Sequence, residues 1–520
     1  MRATSLGHAG ILVETRDVRL VCDPWFAPAF RASWFPFPRN DRLPERVREA
    51  LERPTHLYVS HLHGDHLDET WLAAHVDRDA TVLLPDYPTR ELERRLAALG
   101  FTRVLRTRDG EATEIADGVH VAIHVETSIT DGPGGDSALV VWDGESRLVD
   151  QNDCRTGDLG ALRAHGPVDQ HWLQYSGAIW YPMVYDMPDE ERAALARAKV
   201  ESQFARAMRY VEAIGAAAVV PSAGPPCFLD EELFGLNVIT GDEASIFPDQ
   251  RAFLTRLEAA GRRGLLAIPG SSVETRGGET RVTHPCGGDE VTRIFERKAD
   301  HLRKYQRDMR PLIDTERASW PSSTTDVVAS MRAWMEPLMA KAPTLCGAIG
   351  GACLVRSGDA EVLLDFLARR VRRWAGEDHA FRLDVPRPLL EAVIAEHAVD
   401  WSDSLFLSCR FRAWRRGQFN EWLYSFFKSL SVERMARTED EAVRRTGSVP
   451  ADESDVRIGD WIVQRRCPHR EADLSVFGEI EGDELVCTLH GWRFDLATGR
   501  CRTAEDRPLR VRRAGDGASR

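Results

Sequence analysis

Apolar positions in the first 150 residues recur as short buried runs separated by amphipathic stretches. Ile11-Leu12-Val13 precedes a Thr15-Arg16-Asp17 turn, and Val18 to Cys22 runs into Asp23-Pro24-Trp25. This pattern predicts an opening hairpin. Residues 55–60 (THLYVS) are apolar and β-branched enough for a buried strand that stops at His61. The pattern then alternates: a helix at 68–75, a strand at 81–84, a helix at 89–99, and strands near Val104 and over 119–125, 137–142 and 147–149. Alternation of this kind predicts an α/β sandwich. Alanines and paired charges at helical spacing predict a long helix over 190–214, and residues 282–286 read as the last strand of this part.

Further on, residues 290–340 carry an amphipathic helical pattern broken by Trp320-Pro321. Strands at 353–356 and 360–365 flank a Ser357-Gly358-Asp359 turn, and a helix at 387–396, a strand at 404–413 and a helix at 420–430 complete an α+β unit. Arg410, Arg412, Arg415 and Arg416 crowd the end of the 404–413 run. Such a row can hold a phosphate or carboxylate, or simply be a solvated strand face. Residues 437–453 are polar, charged and without apolar period, which reads as a linker. The expected domains are 1–290, 291–436 and, after that linker, 454–520.

Two to four domains suit 520 residues, and 43% hydrophobic with 29% charged residues is a globular composition. No apolar run approaches a membrane span, and the first residues go straight into a strand with no basic-then-apolar leader. A cytoplasmic protein is expected. A net charge of -13 argues for a small-molecule partner and against nucleic acid. Apart from four cysteine and histidine positions near the end, the ten cysteines are scattered, unlike a secreted disulfide framework.

His61-Leu62-His63-Gly64-Asp65-His66 puts three histidines and a carboxylate at a predicted strand end, where they can converge on Zn, Fe or Mn. HxHxDH matches the signature of the metallo-β-lactamase fold, and the alternative is a solvated His-rich loop. The resemblance implies that His61 and His63 serve one metal, Asp65 and His66 a second, and that a carboxylate at a later strand end bridges them. Asp153 is the candidate, with Asp150 second, although aspartates also cap turns. No histidine stands at Thr130 to Asp136 or at Val219 to Ala223, where further ligands would be expected. His124, Asp131 and His171 are unranked candidates. His8, in a Gly-flanked loop, ranks below the cluster because a lone histidine is more often structural. Two aromatic stretches, residues 27–40 and 170–188, could wall a pocket or be core.

Cys467-Pro468-His469 and Cys487-Thr488-Leu489-His490 each follow a short strand, so two loops can pinch one cluster. This is the ligand set of a Rieske [2Fe-2S] centre, two thiolates on one iron and two imidazoles on the other. Zinc on the same four side chains is the alternative. The continuation Gly491-Trp492-Arg493-Phe494-Asp495 and Thr498-Gly499 resembles Rieske domains of the oxygenase and ferredoxin type.

A Rieske cluster passes one electron and needs an acceptor, and no later helix presents a two-histidine iron site. The His61 cluster is the remaining candidate, which favours iron there over zinc, mono- or dinuclear, because zinc has no redox chemistry. The chain resembles the CMP-N-acetylneuraminate hydroxylase family, which combines the same two domain types. The likeness runs through residues 6–9, Asp23-Pro24-Trp25, Pro28-Ala29-Phe30, residues 58–67, Asp153-Cys154, Tyr181-Pro182-Met183 and Ala223-Gly224, and more loosely 401–427. That family carries its Rieske domain first, and here it comes last. The middle unit is expected to be sterol-carrier-like. The implied activity is O2-dependent hydroxylation or N-oxygenation of a small polar substrate, a nucleotide sugar or amine. The implied metal set is His61, His63, Asp65, His66 and Asp153, with an external reductase or ferredoxin feeding Cys467, His469, Cys487 and His490. The rivals are a metal-dependent hydrolase with a redox-sensing Rieske domain, and a ligand carrier.

Overall fold

In the computed structural model, which describes residues 1–128, 134–321, 326–446, 454–504 and 508–514, the opening alternation becomes three antiparallel strands. These are Arg2–Gly7, Gly10–Thr15 and Val18–Cys22. The chain then makes parallel connections through helices, adding His56–Tyr58, Thr81–Leu84 and Val104–Arg106 in turn. With the hairpin Ser272–Arg276 and Glu279–Thr283 on the other edge, they form an eight-stranded mixed sheet. A six-stranded sheet faces it, in the order Ala218–Ser222, Gln170–Gln174, Arg147–Asn152, Asp136–Trp142, Val119–Glu126, Thr113–Ala116.

Period-two alternation sends one side of each strand into the space between the sheets, where Ala3, Val13, Leu20, Val121, Ile123, Leu139, Leu148 and Trp172 are buried together. The outer face of the first sheet packs Leu12, Val21, Leu57 and Val82 against Leu51, Leu72 and Leu92 from the helices. The second sheet is covered in the same way by Leu162 and Ile214. Helices thus cover two sheets packed face to face, the expected α/β sandwich of metallo-β-lactamase type.

Two compact units divide the chain: Met1–Thr324 with Val385–Arg412, and Thr325–Asp384 with Ala413–Arg520. This corrects the domain bounds read from sequence. Residues 291–321 belong with the first unit because Val291, Phe295, Leu302, Tyr305 and Ile313 on two helices bury against Phe35, Phe37 and Leu229. The stretch 437–446 is no linker but the end of helix Val432–Thr446. Its charges hide a buried stripe, Met435, Thr438 and Ala442, and Glu439 accepts the backbone N–H groups of Thr344 and Leu345 at a helix start. Residues 447–453 lie outside the described residues.

The strand expected over 404–413 is instead a π-helical turn, Ser402–Phe406, followed by the strand Arg412–Arg415. The arginine row is no anion cradle: Arg410 pairs with Asp230, Arg412 with Asp186 and Arg416 with Asp378, and Arg415 lies over Phe419.

The second unit holds a five-stranded sheet centred on Ala352–Ser357, with the predicted hairpin in place, backed by helices that include Val327–Lys341. Its last part is all-β. Asp455–Ile458, Trp461–Gln464 and Val511–Arg513 form one three-stranded sheet, and Gly478–Glu481, Glu484–Cys487 and Trp492–Asp495 another. Among the described residues no helix is long and apolar enough to cross a membrane.

Candidate metal centre and iron–sulfur site

His61 follows the end of His56–Tyr58 by three residues, Asp153 follows Arg147–Asn152, and His8 occupies the turn between the first two strands. Strand ends on both sheets therefore supply the ligands, the usual place for a site in an open α/β sheet. His61, His66 and Asp153 form one group able to hold a metal ion, and His8, Asp65 and His66 form a second that shares His66.

The separations are short. His66 Nε2 lies 3.5 Å from Asp153 Oδ1 and 3.8 Å from Asp65 Oδ2, and His61 Nδ1 lies 3.8 Å from Asp153 and 3.6 Å from Asp136. His8 Nε2 is 2.9 Å from Asp65 Oδ2. His63 is half-buried, its Nδ1 hydrogen-bonded to His61 Nε2 at 2.9 Å, and it belongs to neither group.

A ring of outer partners fixes these side chains. Asp23 bonds His66 Nδ1 at 2.8 Å and accepts from Ser60 N and Oγ at 2.7 and 2.6 Å, which leaves His66 Nε2 aimed at the carboxylates. Among the described residues His66 Nε2 and Asp153 Oδ1, 3.5 Å apart, are buried without any hydrogen-bond partner. Orphaned buried imidazole and carboxylate atoms at such distances are what a cation would satisfy, so these residues fit a metal. Burial opposes ionisation of Asp65, but the adjoining His66 and His8 hold its carboxyl well below the usual range. Burial first, then His66, pushes His61 below its ordinary value, leaving a neutral imidazole able to ligate.

His8 answers the missing late histidine. Ala223, following the strand that ends at Ser222, donates its N–H to the His8 carbonyl at 2.9 Å, so the N-terminal turn occupies the place beside that strand end. Asn40 Nδ2 bonds the Leu6 and Trp25 carbonyls, and Trp25 and Trp34 flank the His8 ring edge-on at 5.0 and 6.4 Å. Part of the 27–40 stretch therefore walls the site, while Phe35 and Phe37 are core.

The other candidates fall elsewhere. His171 is fully buried and bonded to Gln151, His124 packs on His165, and Asp131 lies outside the described residues. Asp150 is buried with both oxygens unpartnered; burial and Asp23 push its carboxyl up, the opposite of the depressed Asp153.

In the second unit Cys467 and Cys487 are both buried. The His469 and His490 rings meet edge-on with centroids 5.2 Å apart, and His469 stacks on Trp492 at 3.7 Å. His469 Nδ1 is buried without a partner, while its Nε2 is 2.8 Å from Glu421 Oε2. One imidazole nitrogen is thus free for a metal and the other anchored, which fits a Rieske cluster. Burial opposes ionisation of Glu421, but His469, Arg445 and Arg470 hold it far below the carboxylate range, so the His469 Nε2–H is the donor. Neither Glu421 nor Asp403, which accepts from Gly64 N at 2.9 Å, is marked by any local motif.

Residues 448–511 match the Rieske [2Fe-2S] domain family, and residues 327–444 match the Rv3818-like, SCP2-like domain family. The chain thus pairs a metallo-β-lactamase-type sandwich with a sterol-carrier-like unit and a Rieske domain.

It belongs to the Rv3818-like family of Rieske 2Fe-2S iron-sulfur proteins. It is 43% identical over 523 residues to Rv3818 of Mycobacterium tuberculosis, which carries the name of a Rieske 2Fe-2S iron-sulfur protein, covering 99% of this chain and 100% of that one. A protein of the same name from Mycolicibacterium smegmatis is 43% identical over 527 residues, again over 99% and 100% of the two chains. Among solved structures, CmlA, a diiron β-hydroxylase from Streptomyces venezuelae, is similar over 54% of each chain at 19% identity and a TM-score of 0.35.

Proposed function

We propose that this protein is an O2-dependent oxygenase acting on a small polar substrate, a nucleotide sugar or an amine. One observation carries the reading: a single chain holds a Rieske ligand set and, separately, two overlapping histidine and carboxylate groups with orphaned ligand atoms. When bound, the cluster supplies single electrons from an external reductase or ferredoxin, and iron at the His61 site supplies O2 activation. His8, His61, Asp65, His66 and Asp153 would hold the iron, and Cys467, His469, Cys487 and His490 the cluster. Asp23 fixes the His66 ring so that Nε2 points inward. Trp25 and Trp34 shield the His8 side from water. His63, half-buried beside His61, is placed to meet a substrate or to move a proton at its exposed edge. The sequence likeness to CMP-N-acetylneuraminate hydroxylases supports the reaction class more than any one substrate.

Metal and sulfide analysis of anaerobically purified protein, followed by O2 uptake with dithionite-reduced ferredoxin and a panel of nucleotide sugars and amines, tests the proposal. More than two irons per two sulfides and substrate-dependent O2 uptake are expected. Zinc at the second site with turnover in the absence of reductant would favour the hydrolase instead.

A further inference from the structure

We infer that Asp403 is a positioning residue of the metal centre, clamping the turn that carries His61, His63, Asp65 and His66 from a segment 339 residues away. The inference rests on the reading that this site holds a metal, and on no assumption about the reaction.

The turn's backbone groups find partners both within it and far along the chain. His66 N and Leu67 N donate to the His63 carbonyl at 3.0 and 2.8 Å, and the Leu62 carbonyl accepts from Arg95 at 3.3 Å. Gly64 N, between two of the candidate ligands, donates to Asp403 Oδ1 at 2.9 Å. A backbone N–H in a half-buried turn needs such an acceptor, or the turn must rearrange to find another. The acceptor is held firmly. Arg31 bonds the Ser404 carbonyl at 3.2 Å and pairs with Glu396, Phe406 packs on Trp180 with ring centroids 4.8 Å apart, and buried Arg410 pairs with Asp230 at 2.8 Å. All of these residues lie in the first unit, although 385–412 falls within the stretch matched by the SCP2-like family. Between the anchors the chain widens into the π turn, with Leu407 N bonded to the Ser402 carbonyl at 3.0 Å, and Asp403 sits on that turn. Single π turns recur where a side chain is re-aimed at a functional site. The sterol-carrier-like stretch thus supplies a structural part of the metal centre.

The test uses the full-length protein, loaded with ferrous iron under argon and dialysed against EDTA, with iron counted in excess of acid-labile sulfide. Asp403→Ala is expected to lose the excess iron at least 10-fold faster than wild type, and Asp403→Asn, whose amide oxygen can still accept from Gly64, to stay within about 3-fold. If the Ala variant is insoluble, Asp403→Glu, which moves the acceptor by one methylene, is read in its place with the same expectation. Far-UV circular dichroism and the unfolding midpoint confirm that each variant is folded. Equal iron retention in wild type, Asp403→Ala and Asp403→Glu overturns the inference alone. Wild type with no iron beyond the cluster overturns the metal-site reading and this inference with it.

Discussion

His469 donates its Nε2–H to the buried carboxylate of Glu421 across 2.8 Å, and Arg445 and Arg470 keep that carboxylate ionised. An anion bonded to a ligand imidazole makes the ligand more basic and favours the oxidised cluster. Glu421→Gln removes the charge and keeps the size. A variant that retains the Rieske EPR signal is expected to show a higher midpoint potential in a redox titration. An unchanged potential would mean that the contact is structural only.

His8 completes the group at Asp65 and His66, so His8→Ala, which removes a donor outright, is expected to weaken metal binding at that group by at least about 10-fold, the lower end of the cost of losing a ligand's hydrogen-bond partner. Competition with a chelator of known affinity measures it. Wild-type affinity in the variant would return the N-terminal histidine to a structural role.

The Arg410 side chain is 2% exposed, pairs with Asp230 and reaches Glu232, fastening residues 385–412 to the rest of the first unit. Breaking a buried ion pair costs about 3–5 kcal/mol, and Arg317 remains beside Asp230 to share its charge. Arg410→Ala should therefore lower unfolding free energy by about 3 kcal/mol in urea. A loss under about 1 kcal/mol would show that the pair contributes little, as at exposed sites.

Burial lowers His171 to about 3 from its ordinary 6.5. The unfolded chain takes up that proton first, so His171 lends stability that is present above about pH 6.5 and is withdrawn as pH falls toward 3. At pH 5 the withdrawn part is about 2 kcal/mol. His171→Gln should accordingly lose less unfolding free energy than wild type between pH 7 and 5. Parallel losses in the two proteins would show that other groups carry the acid sensitivity.

Adjacency in sequence carried what was legible without coordinates. His61 to His66 sit within six residues, and the Cys-x-His and Cys-x-x-His pairs within three or four, so covalent spacing alone brings those donors together. Strand periodicity likewise showed the sandwich, because alternate side chains must enter a common core. The linker reading failed at 437–446 because charged residues outnumber a three-residue buried stripe that only a neighbouring helix explains. The strand expected at 404–413 failed because anchoring by Arg31 and Arg410 overrides local preference.

Residues that act from a distance were decided by tertiary structure alone. His8 reaches Asp65 across 57 positions, Glu421 reaches His469 across 48, and Asp403 reaches Gly64 across 339. No local pattern marks an aspartate as the acceptor for one particular N–H far along the chain. That choice is made when strand ends, turns and a returning segment are packed close enough for a donor shielded from water to find an acceptor. The sequence by itself therefore determined the candidate ligand types and the Rieske motif, and the fold decided which outer residues surround them.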